Sequence, residues 1–149
     1  MKNHTKDTLD LNIEKILSAV RNNAKDGQRD ATMVLMMYRY GLSIKELLLL
    51  RWEQIDTKLG LLYSENLAKN NFAPIYPLFA SELTALQKIQ RQHPESKYVF
   101  VSENQSRLTV STFRKIIKRA FVEAKVVPID TDLGIYRKKY LAVGDNYIY

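Results

Sequence analysis

Between Thr109 and Ala124 the apolar residues Phe113, Ile116, Ile117, Ala120, Phe121 and Ala124 recur at the three- and four-residue intervals of an α-helix. The positions between them hold Arg114, Lys115, Lys118 and Arg119. A strand would scatter both sets over its two faces, whereas a helix separates them cleanly. The helix over 110–125 must therefore bury one side against other elements and turn a cationic side outward. Two earlier segments carry the same period. Ile13, Ile16, Leu17 and Val20 mark a helix over 10–22, closed by the polar run NNAKDGQ at 22–28. Ala31, Val34, Leu35 and Tyr38 mark another from Arg29 to Tyr40. Gly41 stands where a left-handed helix cap is wanted.

Beyond Gly41 the chain changes in character. Ser43 to Glu46 reads S-x-x-E, a capping box, and predicts a short helix to about Arg51. GLLYSENL and FAPIYPL are short β-forming runs around AKNN at 68–71, the pattern of a hairpin, with Pro74 suited to an edge or irregular position. Leu83, Leu86 and Ile89 restore helical spacing over 81–93, and Pro94 ends it by disfavouring a helical His93. KYVFVS is the candidate third strand. The tail from Leu133 to Tyr149 reads as one more helix, starting near Asp132 and interrupted at Gly144. The expected fold is α+β and mainly helical, a helical bundle with a small three-stranded antiparallel sheet. With no repeat or linker-like stretch, residues 1–149 are expected to form a single domain.

Composition narrows the chemistry. The absence of cysteine removes disulfides, thiolate metal sites and cysteine nucleophiles, and suits a reducing, cytoplasmic compartment. His4 and His93 are isolated and no carboxylates recur at ligand spacing, so no metal is expected. The five glycines are not clustered into a phosphate-cradling loop, so no nucleotide cofactor is expected either. The apolar run LLLL at 47–50 is too short to span a bilayer. With 23 Lys and Arg against 16 Asp and Glu, the net charge of +7 favours a polyanionic partner.

The order of these pieces carries more than any one of them. YRYGLSIKELLLLRWEQID, then LAKNNFAPIYPL, a helix, YVFVS, a basic helix and LGIYRKKYLA resemble the catalytic domain of the tyrosine recombinases, or phage integrases, and most closely the short invertases that flip fimbrial promoters. The resemblance covers about residues 8 to 142. It implies a domain that grips duplex DNA and transfers a strand through a phosphotyrosine without metal or nucleotide. Two arginines would neutralise the scissile phosphate, a hairpin lysine would protonate the leaving oxygen, a histidine would assist and a tyrosine would attack.

Carried over residue by residue, the resemblance puts Lys69 on the hairpin-lysine position and Arg137 on the second arginine. Ser43 takes the place of the first arginine, and Gly134 that of the histidine. Arg39 sits one turn before Ser43, and its guanidinium would have to reach the same phosphate across the bend at Gly41 to compensate. Tyr147 and Tyr149 follow Arg137 too closely for the usual nucleophile position and read as tail aromatics, so the catalytic domain is expected to be C-terminally shortened. No intact catalytic set is expected. Lys69, Arg107, Arg114, Lys115, Lys118, Arg119, Arg137 and Lys138 are the candidate contacts to double-stranded DNA.

The resulting expectation is a catalytically silent, nucleoid-associated recombinase relative, encoded in a bacterial genome or on a mobile element, that serves recombination or transcription. Two alternatives stay open: a split recombinase whose nucleophile comes from a partner, and an interaction module in which the C-terminal tail forms a homo-oligomer or recombinase contact.

Overall fold

The computed structural model describes residues 2–23, 25–63, 75–102 and 108–126. The predicted tail helix lies outside them, as do the hairpin tip and Pro74. The described elements are α1 (Lys2–Asn23), α2 (Gly27–Tyr40), α3 (Ile44–Leu48), a 3-10 turn (Trp52–Gln54), β1 (Ile55–Asp56), β2 (Leu61–Tyr63), β3 (Ile75–Pro77), α4 (Ala80–Gln92) and α5 (Val110–Ala124). They group into two compact units, one formed by residues 1–44 with 109–149 and the other by residues 45–108.

In the first unit α1 packs against both α2 and α5. Ile13, Ile16, Leu17 and Val20 of α1 are all buried, as their spacing predicts. α2 departs from its predicted stripe. Leu35 and Tyr38 are only half-buried, while Met33, Met36, Met37 and Tyr40 are buried along with Ala31 and Val34. A helix enclosed on most of its circumference has no polar face to give a clean period. Gly41 takes the left-handed conformation at φ 67°, and its N–H donates to the Met37 carbonyl at 3.1 Å, closing α2 as expected.

The approach of α1 to α2 is tight at Gly27. A Cβ there would lie 2.2 Å from the Arg21 carbonyl oxygen, so only glycine fits beside the last turn of α1.

In the second unit α3 stops at Leu48, short of the expected Arg51. The backbone leaves the helix because it finds extended partners: Val99 N–H donates to Leu50 C=O at 3.0 Å and Trp52 N–H to Lys97 C=O at 3.1 Å. Arg51 forms an isolated antiparallel bridge with Tyr98. KYVFVS is therefore not the third strand of the sheet. That place belongs to Ile55–Asp56, and the order is β1-β2-β3, all antiparallel. Asp56 Oδ1 accepts from the N–H groups of Lys58 and Leu59 at 3.0 and 2.9 Å, and Gly60 at φ 67° completes the turn into β2. Register pairs Leu61 with Pro77, Leu62 with Tyr76 and Tyr63 with Ile75, which turns Leu62 and Ile55 to the buried side. Gln54 ties the 3-10 turn to this sheet: its Oε1 accepts from Arg51 N–H at 3.0 Å and its Nε2 donates to Tyr63 C=O at 3.1 Å. α4 ends at Gln92, with Pro94 two residues on.

Asp30 is the buried acid of α2, with no accessible surface. Its Oδ1 accepts from Arg29, at 2.9 Å from Nε and 2.8 Å from Nη2, and its buried Oδ2 has no hydrogen-bond partner. Burial raises the Asp30 carboxyl above the ordinary aspartate range, and Arg29 opposes this only in part. A raised folded-state value favours the protonated form, so the stabilisation is complete below the unfolded value of 3.8 and is lost as pH rises through the folded one. Asp30→Asn keeps an acceptor for Arg29 and cannot ionise. We expect urea midpoints of the two proteins to converge near pH 4 and the variant to gain progressively toward pH 7; a wild type that gains on the variant over that range contradicts the sign.

A candidate DNA-binding face on α5

α5 is built by its sequence in three steps. Thr109 begins it from an extended conformation, its Oγ1 accepting from Thr112 N–H at 3.1 Å and donating to Thr112 Oγ1 at 2.8 Å. The apolar stripe then docks: Phe113, Ile117, Ala120 and Phe121 are buried, while Ile116 and Ala124 at its borders are half-buried. Lys125 ends the helix in a left-handed conformation at φ 57°, a non-glycine residue where glycine is usual. Its N–H reaches the carbonyls of Phe121 and Val122.

Docking of that stripe decides what faces water. Arg114, Lys115, Lys118 and Arg119 are all exposed, as is Lys125 at the cap. The spacing within the helix announced the four cations; Lys125 escaped notice because it sits at the cap, beyond the periodic segment. Arg114 with Lys118 and Lys115 with Arg119 are like-charge pairs at i,i+4, each costing the helix about 0.2–0.5 kcal/mol. The one acid of α5, Glu123, is exposed one turn beyond Arg119.

The chemical positions fare differently. Ser43 comes after Gly41 and Leu42 at the entry to α3 and is half-buried. Arg39 is half-buried in the last turn of α2, and its Nη1 is shielded from solvent. It is not offered outward as the cations of α5 are. Lys69, Arg107, Gly134, Arg137, Lys138, Tyr147 and Tyr149 lie outside the described residues. Among the described residues no group of histidine and carboxylate side chains could hold a metal ion, and no helix is long and apolar enough to cross a membrane.

A helical domain whose chain inserts a small antiparallel sheet between its third and fourth helices and places a basic helix after them has the fold of the tyrosine-recombinase catalytic domain. The structure of the lambda integrase catalytic core superposes with a TM-score of 0.67 at 17% identity, covering 92% of this chain and 85% of that one. The Tn1549 transposon integrase in complex with transposon right end DNA gives 0.69 at 14% identity, covering 90% of this chain and 51% of that one. XerH bound to its difH substrate gives 0.68 at 17% identity, over 87% and 39%.

Sequence comparison carries the relationship beyond the fold. The phage integrase family model matches residues 8–133, and the chain belongs to that family. The type 1 fimbriae regulatory protein FimE of Escherichia coli K12 is 31% identical over 121 residues, 77% of this chain and 60% of that protein. The tyrosine recombinase XerD of Listeria innocua is 27% identical over 114 residues, 71% of this chain and 38% of that protein. The matches thus take in less than two thirds of these relatives' own length.

The cap at Thr109 holds the first turn of the basic face. Thr109→Ala removes the acceptor for Thr112 N–H, and we expect a loss of about 1 kcal/mol in chemical denaturation, with Thr109→Ser retaining most of the stability. Equal losses in both variants would show that the hydroxyl is not what holds the turn.

Proposed function

We propose that this chain is a DNA-binding member of the integrase family that grips duplex DNA without cutting it, as an accessory or regulator of recombination or transcription. Residues 1–149 would act as one DNA-binding domain. The observation that carries the binding is the exposed face of α5, where Arg114, Lys115, Lys118 and Arg119 outnumber the one acid, Glu123. Phosphates that meet these cations release counterions. Lys69, Arg107, Arg137 and Lys138 would add further backbone contacts. Binding of DNA by the Tn1549 integrase and XerH structures, which share the fold, supports the same partner.

Two positions support silence, one within the matched region and one beside it. Ser43 stands where the resemblance calls for the first phosphate-binding arginine, and a hydroxyl brings no positive charge to the scissile group. Gly134 stands where it calls for the histidine and can move no proton. Losing one transition-state hydrogen-bond donor costs other enzymes about 10²–10³ in rate. Ground-state contacts to flanking phosphates do not depend on that group. A relative that is a fimbriae regulatory protein is in keeping with a regulatory role.

Two measurements test this reading. Retardation of duplex DNA should weaken steeply as salt rises, and Arg114→Ala with Arg119→Ala should lower the slope of log affinity against log salt by about 2, near 0.9 for each contact removed. No retention at low salt, or an unchanged slope in the double variant, removes α5 from the interface. On a nicked suicide substrate we expect no covalent protein–DNA product; a trapped phosphotyrosyl bond would end the claim of silence while leaving the binding claim intact.

A further inference from the structure

The small sheet has two faces, and the core uses one of them. Leu62 and Tyr76 pair across β2 and β3 on the inner side, where Leu62 is buried. Strand alternation then sends Leu61, Tyr63, Ile75 and Pro77 to the outer side, with Leu61 opposite Pro77 and Tyr63 opposite Ile75. Leu59 and Phe79 follow at the end of the ladder, beside the bond from Leu78 N–H to Gly60 C=O at 2.8 Å. Leu59 is 69% exposed, Ile75 52% and Phe79 51%. Pro77 is exposed too, and Leu61 and Tyr63 are half-buried. An antiparallel sheet with one wet face ordinarily carries polar residues on it. Asp56, opposite Leu61, is the charged exception, and its Oδ1 is taken up by the turn into β2. An apolar patch of this kind marks a surface that a protein partner covers.

The distribution of charge says which partner. Residues 45–108 hold eight Lys and Arg against seven Asp and Glu, so six of the chain's seven net positive charges lie outside the unit that carries the sheet. Two copies that meet through this nearly neutral unit avoid most of the repulsion between cationic chains. An uncharged face asks for no charged counterpart, and it is its own complement across a two-fold axis. We propose that the outer face of the sheet is a self-association surface, on which Leu59, Leu61, Tyr63, Ile75, Pro77 and Phe79 pack against the same face of a second copy. Six side chains are fewer than the roughly 20–30 residues that each partner brings to a standard interface, so the pair is weak and forms as concentration rises. It uses no residue of α5 or of the C-terminal tail, and it needs no DNA.

Sedimentation equilibrium of the full chain, without DNA, is the test. The apparent mass should climb from that of one chain toward twice that value as concentration rises, and salt of about 1 M should not reverse the climb, because no ion pair holds the contact. Ile75→Lys with Phe79→Lys sets like charges into the contact and should raise the concentration needed for pairing about tenfold or more. Both side chains are already half exposed, so the urea midpoint should stay at the wild-type value. Should the double variant fail to fold, Leu59→Lys gives the same readout from the most exposed position of the face. A chain that stays monomeric throughout, pairing abolished by salt, or a folded variant that pairs as the wild type does overturns the assignment. A monomeric wild type whose lysine variants lose retention of duplex DNA would give the face to nucleic acid instead.

Discussion

What α5 turns outward depends on how the helix docks. The burial of Phe113, Ile117, Ala120 and Phe121 fixes the helix's rotation about its axis, and α1 is the helix it packs against. A helix can turn only one side to its neighbour. Fixing that side therefore fixes the four cations in solvent. The cost of assembling Arg114, Lys115, Lys118 and Arg119 on one arc is a few tenths of a kcal/mol per repelling pair. Burying a phenylalanine side chain is worth about 1.5–3 kcal/mol. Packing wins by a wide margin, so the charged arc can be held ready in the absence of any partner.

The second unit is held together on another principle. Among the described residues its three strands span two or three residues each, and side-chain ties reinforce the ladder. Asp56 closes one turn through two backbone donors, and Gln54 joins the 3-10 turn to β2. The segment around Val99 pairs with Leu50 and Trp52 rather than with the sheet, and Val99, Phe100 and Val101 are all buried.

How far these features could be read from sequence depends on their range. The amphipathic helices were legible: α5 lies within one residue of its expected bounds, and Gly41 caps α2 as its position implies. The third strand was not. KYVFVS has the β-forming composition, yet its backbone partners lie nearly fifty residues away, and no periodicity encodes such a pairing. Ile55–Asp56 is a strand because β2 lies beside it, with too few residues to show alternation. The enclosed helix α2 hid its buried methionines for a related reason, since a stripe is visible only when another face is wet. At the candidate site, the charged arc needed only spacing to be seen. Ser43 is an ordinary helix-entry residue by chemistry, and its interest comes wholly from the resemblance. The apolar outer face of the sheet became visible only once the register of β2 and β3 was known.

The proposed function asks binding and chemistry to part company in one fold. A strand-transfer site needs cations that strengthen their hold as charge develops on the reacting phosphate, a demand met at a few atoms and sensitive to each. A grip on the duplex needs cations spread along a surface, each contributing a similar share and none indispensable. On the proposed function the first demand falls at Ser43, where a half-buried residue at the entry to a short helix brings no charge. The second falls on α5, where the charges are separate from that position along the chain and are oriented by their own packing. Substitution at the first place need not disturb the second, because what orients the arc is the apolar stripe beneath it. On that proposal, a single exchange at Ser43 removes the reaction and leaves the hold on DNA.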